Sequence, residues 1–174
     1  SDVYKRQAIG ARALFGCDSA SQYVSTSCVR DNIYIGAQAG ARVGWYCEHQ
    51  CGIHENIGIG YGAHCLARCS CCAIAIGNYV FSRACHDQAK PIAIGPFSGN
   101  SANCYTNCYH STIIIGPYSS CWGNYRSTAI GTFVFRNSKT AHSIGIGYAA
   151  MCQAGNSTSQ SCMMNDIAIG SYAL

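Results

Sequence analysis

An isoleucine–glycine pair recurs nine times along the chain, ending at Gly10, Gly36, Gly60, Gly77, Gly95, Gly116, Gly131, Gly147 and Gly170. The intervals are 26, 24, 17, 18, 21, 15, 16 and 23 residues. Self-similarity on this scale constrains a fold more than any other sequence feature, because each repeat is one structural unit that cannot bury its own apolar face. The shortest interval sets the size of one coil, and longer ones carry loop insertions.

The register around each glycine is tight. One residue before it stand Ile9, Ile35, Ile59, Ile76, Ile94, Ile115, Ile130, Ile146 and Ile169. Three before it stand Ile33, Ile57, Ile74, Ile92, Ile113, Ile144 and Ile167, with Gln7 and Thr128 as exceptions. The intervening residue is usually Ala or Gly, with Tyr34 and Ile114 departing. Three residues after the glycine the side chain is always small, from Ala13 to Ala173. Two residues after it, five repeats carry an aromatic: Tyr79, Phe97, Tyr118, Phe133 and Tyr172.

The alternation Ile-small-Ile has period 2 and predicts a short β-strand. Glycine at a fixed place beside it marks a bend where no Cβ fits or where φ is positive. A second short strand is expected after the bend. Two short strands and a turn in about 15 residues make one rung of a parallel β-solenoid. Nine rungs about 4.8 Å apart form a rod roughly 40 Å long. Small residues suit a narrow interior, so the Ile pairs are expected to point outward. An Ile stripe of that length is too large to leave bare and calls for a covering chain. The alternative is an Ile-filled interior and a monomer that stands alone.

Composition excludes several classes. Charged residues are 10% of the 174, with a net charge of +4, against about 25% in an ordinary soluble domain. Disorder requires high charge and low hydrophobicity, and this chain is 49% hydrophobic. No apolar run reaches the roughly 18 residues of a membrane-spanning helix. The 11 basic residues are scattered, so nucleic acid is not an expected partner. There is no nucleophile elbow, no phosphate loop, and no carboxylate pair that recurs at a spacing suited to acid–base work. Neither an enzyme nor a cofactor is expected.

In Ser143-Ile144-Gly145-Ile146-Gly147-Tyr148-Ala149-Ala150 and in Asp166-Ile167-Ala168-Ile169-Gly170-Ser171-Tyr172-Ala173-Leu174, the motif resembles the head repeat of trimeric autotransporter adhesins. It resembles equally the AIG-type repeats of phage and giant-virus tail fibres. The resemblance covers residues 8–174. It implies a left-handed parallel β-roll, usually trimeric, that serves structure or surface attachment without catalysis. The expected partners are therefore copies of the chain itself, as a homotrimer or an end-to-end polymer, and possible surface glycans. The expected location is extracellular, on a cell surface or on a virion. Residues 2–7 resemble the translated end of a transposon-based sequencing adapter. Residues 1–7 are accordingly read as an artefact, and 8–174 as a single solenoid domain from a longer chain.

The 14 cysteines fit best a virion fibre or a secreted filament stapled by disulfides. Cys28, Cys69, Cys108 and Cys162 each lie eight residues before the next repeat glycine, and Cys51 lies nine before. Each has an upstream cysteine in the same segment. The expected loop-closing pairs are Cys17–Cys28, Cys47–Cys51, Cys65–Cys69, Cys104–Cys108 and Cys152–Cys162. Cys71, Cys72, Cys85 and Cys121 remain for bridges between rungs or chains. The cluster Cys65, Cys69, Cys71 and Cys72, with His64 adjoining, could instead hold zinc, although its spacing is not that of a zinc ribbon. No metal is assigned.

Other groups read as surface features. His49, His54, His64, His86, His110 and His142 share no offset from the repeat glycine and are expected on surface loops. Glu48, His49, His54 and Glu55 form a small polar cluster. Trp45, Tyr46, Tyr105, Tyr109, Trp122 and Tyr125 are candidate glycan-recognition residues in loops. The aromatics after the glycines are expected to stack along the rod, or to offer a carbohydrate track. Asn156-Ser157-Thr158 is a glycosylation sequon. Ice binding calls for a regular Thr ladder, and the threonines share no register.

Overall fold

The structure is a computed structural model. It describes residues 6–13, 29–41, 53–65, 72–81, 90–99, 111–119, 124–136, 140–152 and 163–173. Its strands are β1 (Arg6–Ile9), β2 (Val29–Arg30), β3 (Asn32–Ile35), β4 (Ile53–His54), β5 (Ile57–Ile59), β6 (Ile74–Ile76), β7 (Ile92–Ile94), β8 (Ile113–Ile115), β9 (Asn124–Tyr125), β10 (Thr128–Ile130), β11 (Thr140–Ala141), β12 (Ile144–Ile146), β13 (Met163–Met164) and β14 (Ile167–Ile169). No helix occurs among the described residues. The nine strands that precede the repeat glycines form one sheet in the order β1-β3-β5-β6-β7-β8-β10-β12-β14. Every neighbouring pair in it is parallel and in register, so Ile9, Ile35, Ile59 and each later equivalent fall in one column. Smaller parallel sheets join β13-β11-β9 and β2-β4. Successive repeats stacked in register are the arrangement of a β-solenoid.

The central residue of each strand points inward. Tyr34, Ala75, Ala93, Ile114 and Ala129 are fully buried, and Gly58, Gly145 and Ala168 occupy the same column. The small residue three after the glycine also faces in: Ala39, Ala63, Val80, Ser98, Ser119, Val134 and Ala150. These two columns make a core only a few atoms wide. Bulk at one rung is matched by glycine nearby. A Cβ on Gly58 or Gly40 would strike the Tyr34 ring, one on Gly99 would strike Phe81, and one on Gly145 would strike Phe135. The core is therefore filled by complementary sizes across rungs.

The segment after the glycine is a turn in every repeat, which corrects the expected second strand. The residue two past the glycine has φ between 53° and 63° in all nine repeats: Arg12, Gln38, Gly62, Tyr79, Phe97, Tyr118, Phe133, Ala149 and Tyr172. A strand cannot pass through that left-handed region. The turns still bond rung to rung. The amide of Tyr79 donates to the carbonyl of Tyr61 at 2.8 Å, and that of Phe97 to Asn78 at 2.9 Å. Further on, the amide of Phe81 donates to Ser98 at 3.0 Å, and that of Gly99 to Ser119 at 3.0 Å. Side-chain alternation suggested a strand because the aromatic and the small residue do diverge, but a left-handed corner separates them.

A polar seam runs inside the corner that precedes each strand. Asn32, Asn56, Thr112, Ser127 and Ser143 are buried there. Asn32 Oδ1 accepts from the Asn56 amide at 3.0 Å, and Asn56 Oδ1 accepts from the Ala73 amide at 3.0 Å. Lower in the stack, Ser127 Oγ accepts from the Ser143 amide at 3.3 Å and Ser143 Oγ from the Asp166 amide at 3.4 Å. The side chains of Asn32, Asn56, Ser127 and Ser143 each satisfy a backbone donor of the next rung, which would otherwise be buried without a partner.

The repeat glycines have φ between 119° and 131°, a region closed to other residues. They also stack on one another. A Cβ on Gly77 would lie 2.9 Å from the carbonyl carbon of Gly95. The same addition at Gly170 would meet nothing within 4 Å. Gly77→Ala is expected to cost about 2–4 kcal/mol of stability. Gly170→Ala should lose only the conformational part, and urea denaturation of the two variants measures the difference as the clash.

Candidate functional site: an exposed isoleucine face

Period-2 alternation sends the two Ile of each strand to the face opposite the core. In the middle of the stack, Ile59, Ile76, Ile94, Ile115 and Ile130 are each 37–38% exposed. Ile113 and Ile144 are similarly exposed, and Ile33, Ile57, Ile74, Ile92 and Ile146 are half-buried by their neighbours in the stack. At the ends of the sheet, Ile9, Ile167 and Ile169 stand more than 60% exposed. The face is thus two columns of isoleucine wide and nine strands long, interrupted by Gln7 and Thr128. The Ile-filled interior is excluded: the side chains that fill the core are the small ones and their few bulky substitutes.

An aromatic column borders this face beyond the glycines. Tyr79 and Phe97 stack at 5.6 Å, Phe97 and Tyr118 at 5.0 Å, and Tyr118 and Phe133 at 5.5 Å. The column continues past the five aromatics visible in the repeat register. Tyr61 meets Tyr79 edge-on at 5.2 Å, Tyr148 meets Phe133 at 5.8 Å, and Tyr148 meets Tyr172 at 5.4 Å. Tyr61 and Tyr148 lie one residue after their glycines, not two. Their rungs have Gly62 and Ala149 at the usual aromatic position, and the displaced tyrosine fills the space. The signal was present in the sequence as this exchange of small and aromatic residues between adjacent positions. The close pairing also shifts acidity. A hydrogen bond with Tyr61 pushes the Tyr79 phenol up, and the charge of Tyr148 pushes that of Tyr172 up. The guanidinium of Arg136 lies 4.9 Å above the Phe133 ring, within cation–π range.

On the other side of the isoleucine face is a corner column with one described residue in each rung from β3 to β14: Asp31, Glu55, Cys72, Lys90, Ser111, Arg126, His142 and Asn165. All except Lys90 adopt positive φ, between 47° and 62°. All except the half-buried Cys72 are exposed. The Cys72 thiol donates to Glu55 Oε2 at 3.1 Å.

The polar and metal candidates are redistributed. His64 was expected at the surface or beside a thiolate cluster. It is instead fully buried, because it lies four past Gly60, where the turn directs side chains inward. Its ring sits 6.1 Å from Tyr34 and 5.6 Å from Phe81. Of the zinc-candidate cysteines, Cys65 and Cys72 are described and half-buried, while Cys69 and Cys71 lie outside the described residues. No disulfide and no metal-binding cluster occurs among the described residues. Cys152 is also described and half-buried. Cys17, Cys28, Cys47, Cys51, Cys85, Cys104, Cys108, Cys121 and Cys162 lie outside them. So do Trp45, Tyr46, Glu48, His49, His86, Tyr105, Tyr109, His110, Trp122 and the sequon at residues 156–158.

Compared with known proteins, the chain matches no family model, no curated protein and no solved structure.

Burial holds His64 neutral and lowers its pKa from 6.5 to about 3. Above pH 6.5 the folded and unfolded chains both carry a neutral imidazole, and this contribution to stability is complete. Between pH 6.5 and 3 only the unfolded chain binds the proton, so stability falls as pH falls. The expected loss approaches a tenfold drop in the folding constant per pH unit below 6.5. Urea midpoints at pH 7.5, 6 and 5 should decline less in His64→Phe than in the parent chain.

Proposed function

We propose that this protein is a structural, self-associating component of an extracellular or virion fibre, with a role in surface attachment. The observation that carries the reading is the isoleucine face. An apolar face of two columns by nine strands exceeds what a solitary soluble chain leaves bare, and its regularity matches a surface meant to pack. The resemblance to adhesin heads and tail-fibre repeats agrees with a left-handed β-roll assembled as a homotrimer or an end-to-end polymer. Cysteines paired within the segments between repeats, as the sequence spacing suggests, would staple such a rod in an oxidising setting.

A second reading, a glycan-binding module, is favoured by the aromatic column. Tyr61, Tyr118, Tyr148 and Tyr172 are the exposed members of a column with one aromatic per rung from Tyr61 to Tyr172, and sugar rings stack on such surfaces. The two readings are compatible, since one uses the sheet face and the other its border.

Ile76→Lys with Ile94→Lys places two charges at the centre of the face. The doubly substituted chain is expected to sediment as a monomer with an unchanged circular dichroism spectrum, while the parent chain sediments as an assembly. A monomeric parent chain would overturn the reading. Thiol titration in denaturant should gain ten thiols on reduction, two for each of the five expected pairs, if the loops are stapled as proposed.

A further inference from the structure

The corner column beside the isoleucine face is not uniform in charge. Asp31 and Glu55 stand on the strands toward β1, and Arg126 and His142 on those toward β14. Lys90 precedes β7, the middle strand of the nine. Glu55 lies two rungs from Lys90 on one side and Arg126 two rungs on the other. Asp31 and His142 each lie three rungs away. The acidic and basic corners are therefore placed symmetrically about the centre of the sheet.

We propose that the isoleucine face is covered by a second copy of this chain lying antiparallel, with the acidic corners of one copy against the basic corners of the other. The proposal rests on the reading that this face self-associates; it adds direction and register, and makes the assembly twofold where the resemblance implies a homotrimer or an end-to-end polymer. Two sheets packed face to face can be related by a twofold axis along the strands or along the rod. The first makes the rods antiparallel and sets each corner column against the same column of the partner in reverse order. Centred on β7, it brings Glu55 to Arg126 and Asp31 to His142, twice each by symmetry, while all nine strands overlap. A twofold or threefold axis along the rod makes the copies parallel. The corner column of one then meets the aromatic border of the next, and the charge pattern finds no complement. Lys90 faces its own copy on the axis, where a four-carbon stem lets the ammonium turn out to solvent.

The dimensions suit a stable pair. Eight strand gaps of about 4.8 Å and a width of about five residues, roughly 16 Å, give a face of about 600 Å². Two copies bury about 1,200 Å², the lower edge of the range for specific interfaces. Isoleucine supplies the burial, and the rim charges set orientation, which is their usual part in an interface.

The test is sedimentation velocity on the full chain and on two variants, Glu55→Arg and Arg126→Glu. The parent chain is expected to be a dimer. Each variant alone should dissociate about tenfold more readily, because reversal puts two like-charge pairs at the rim. An equimolar mixture should form a heterodimer tighter than either variant alone, since both rim pairs become complementary again. The double variant should regain parental affinity, and all of these differences should shrink in about 0.5 M salt. An assembly whose variants mix without preference, or one of threefold mass, overturns the antiparallel pair and leaves self-association standing. A parent chain that is monomeric overturns both.

Discussion

The close approach of each repeat glycine to the carbonyl of the next is the contact on which the rest of the structure depends. At that point two backbones meet without a side chain between them, in a conformation other residues cannot hold. The glycine column sets the rung spacing and the direction in which the chain leaves each strand. Strand register follows, because the residues one and three before the glycine are locked to the same column in every repeat. The corners follow too. A chain that leaves the sheet and returns in as few as 12 residues, 116–127 between β8 and β10, turns through left-handed positions, at a cost that only a fully bonded stack offsets. The amide of each turn finds its acceptor in the neighbouring rung.

A rung this tight has little room inside. The interior takes Ala and Gly, with Tyr34, Phe81, Ile114 and Phe135 admitted in part where neighbouring glycines yield space. The larger apolar side chains that the strands need for β-propensity are consequently on the outside. Stacking covers roughly two-thirds of each central isoleucine and leaves the remainder open to solvent. If the face self-associates as proposed, fold stability and assembly are coupled through the same side chains, and a change in either shifts the other.

Much of this was legible in the chain. Nine glycines in register placed all nine strands of the main sheet, and the size of the residue between the isoleucines identified the inward face. The turn after the glycine was misread because alternation of side chains is a weak witness to backbone conformation. Left-handed φ at Phe97 or Tyr118 leaves no mark in residue type. His64 was misplaced because histidine is a surface residue by habit, whereas its offset from Gly60 equals that of Phe81 from Gly77, Phe135 from Gly131 and Met151 from Gly147. The aromatic column was legible in five of its seven members. Tyr61 and Tyr148 needed the recognition that a shift of one position is compensated by Gly62 and Ala149. The corner charges were on the page throughout, but nothing marks them as a column until the register of the rungs is known.

Spacing between the glycines ranges from 15 to 26 residues, yet the register of the strands never shifts. Lengthening a connection costs only slowly growing closure entropy, while displacing a strand by one residue would turn its isoleucines into the core. The two parts of each repeat are therefore under different constraints. The rung residues are fixed by stacking and form the isoleucine face. The intervening segments hold most of the cysteines and both tryptophans, and can vary in length and chemistry without disturbing the face. A scaffold divided in this way can change what it touches while keeping how it is built.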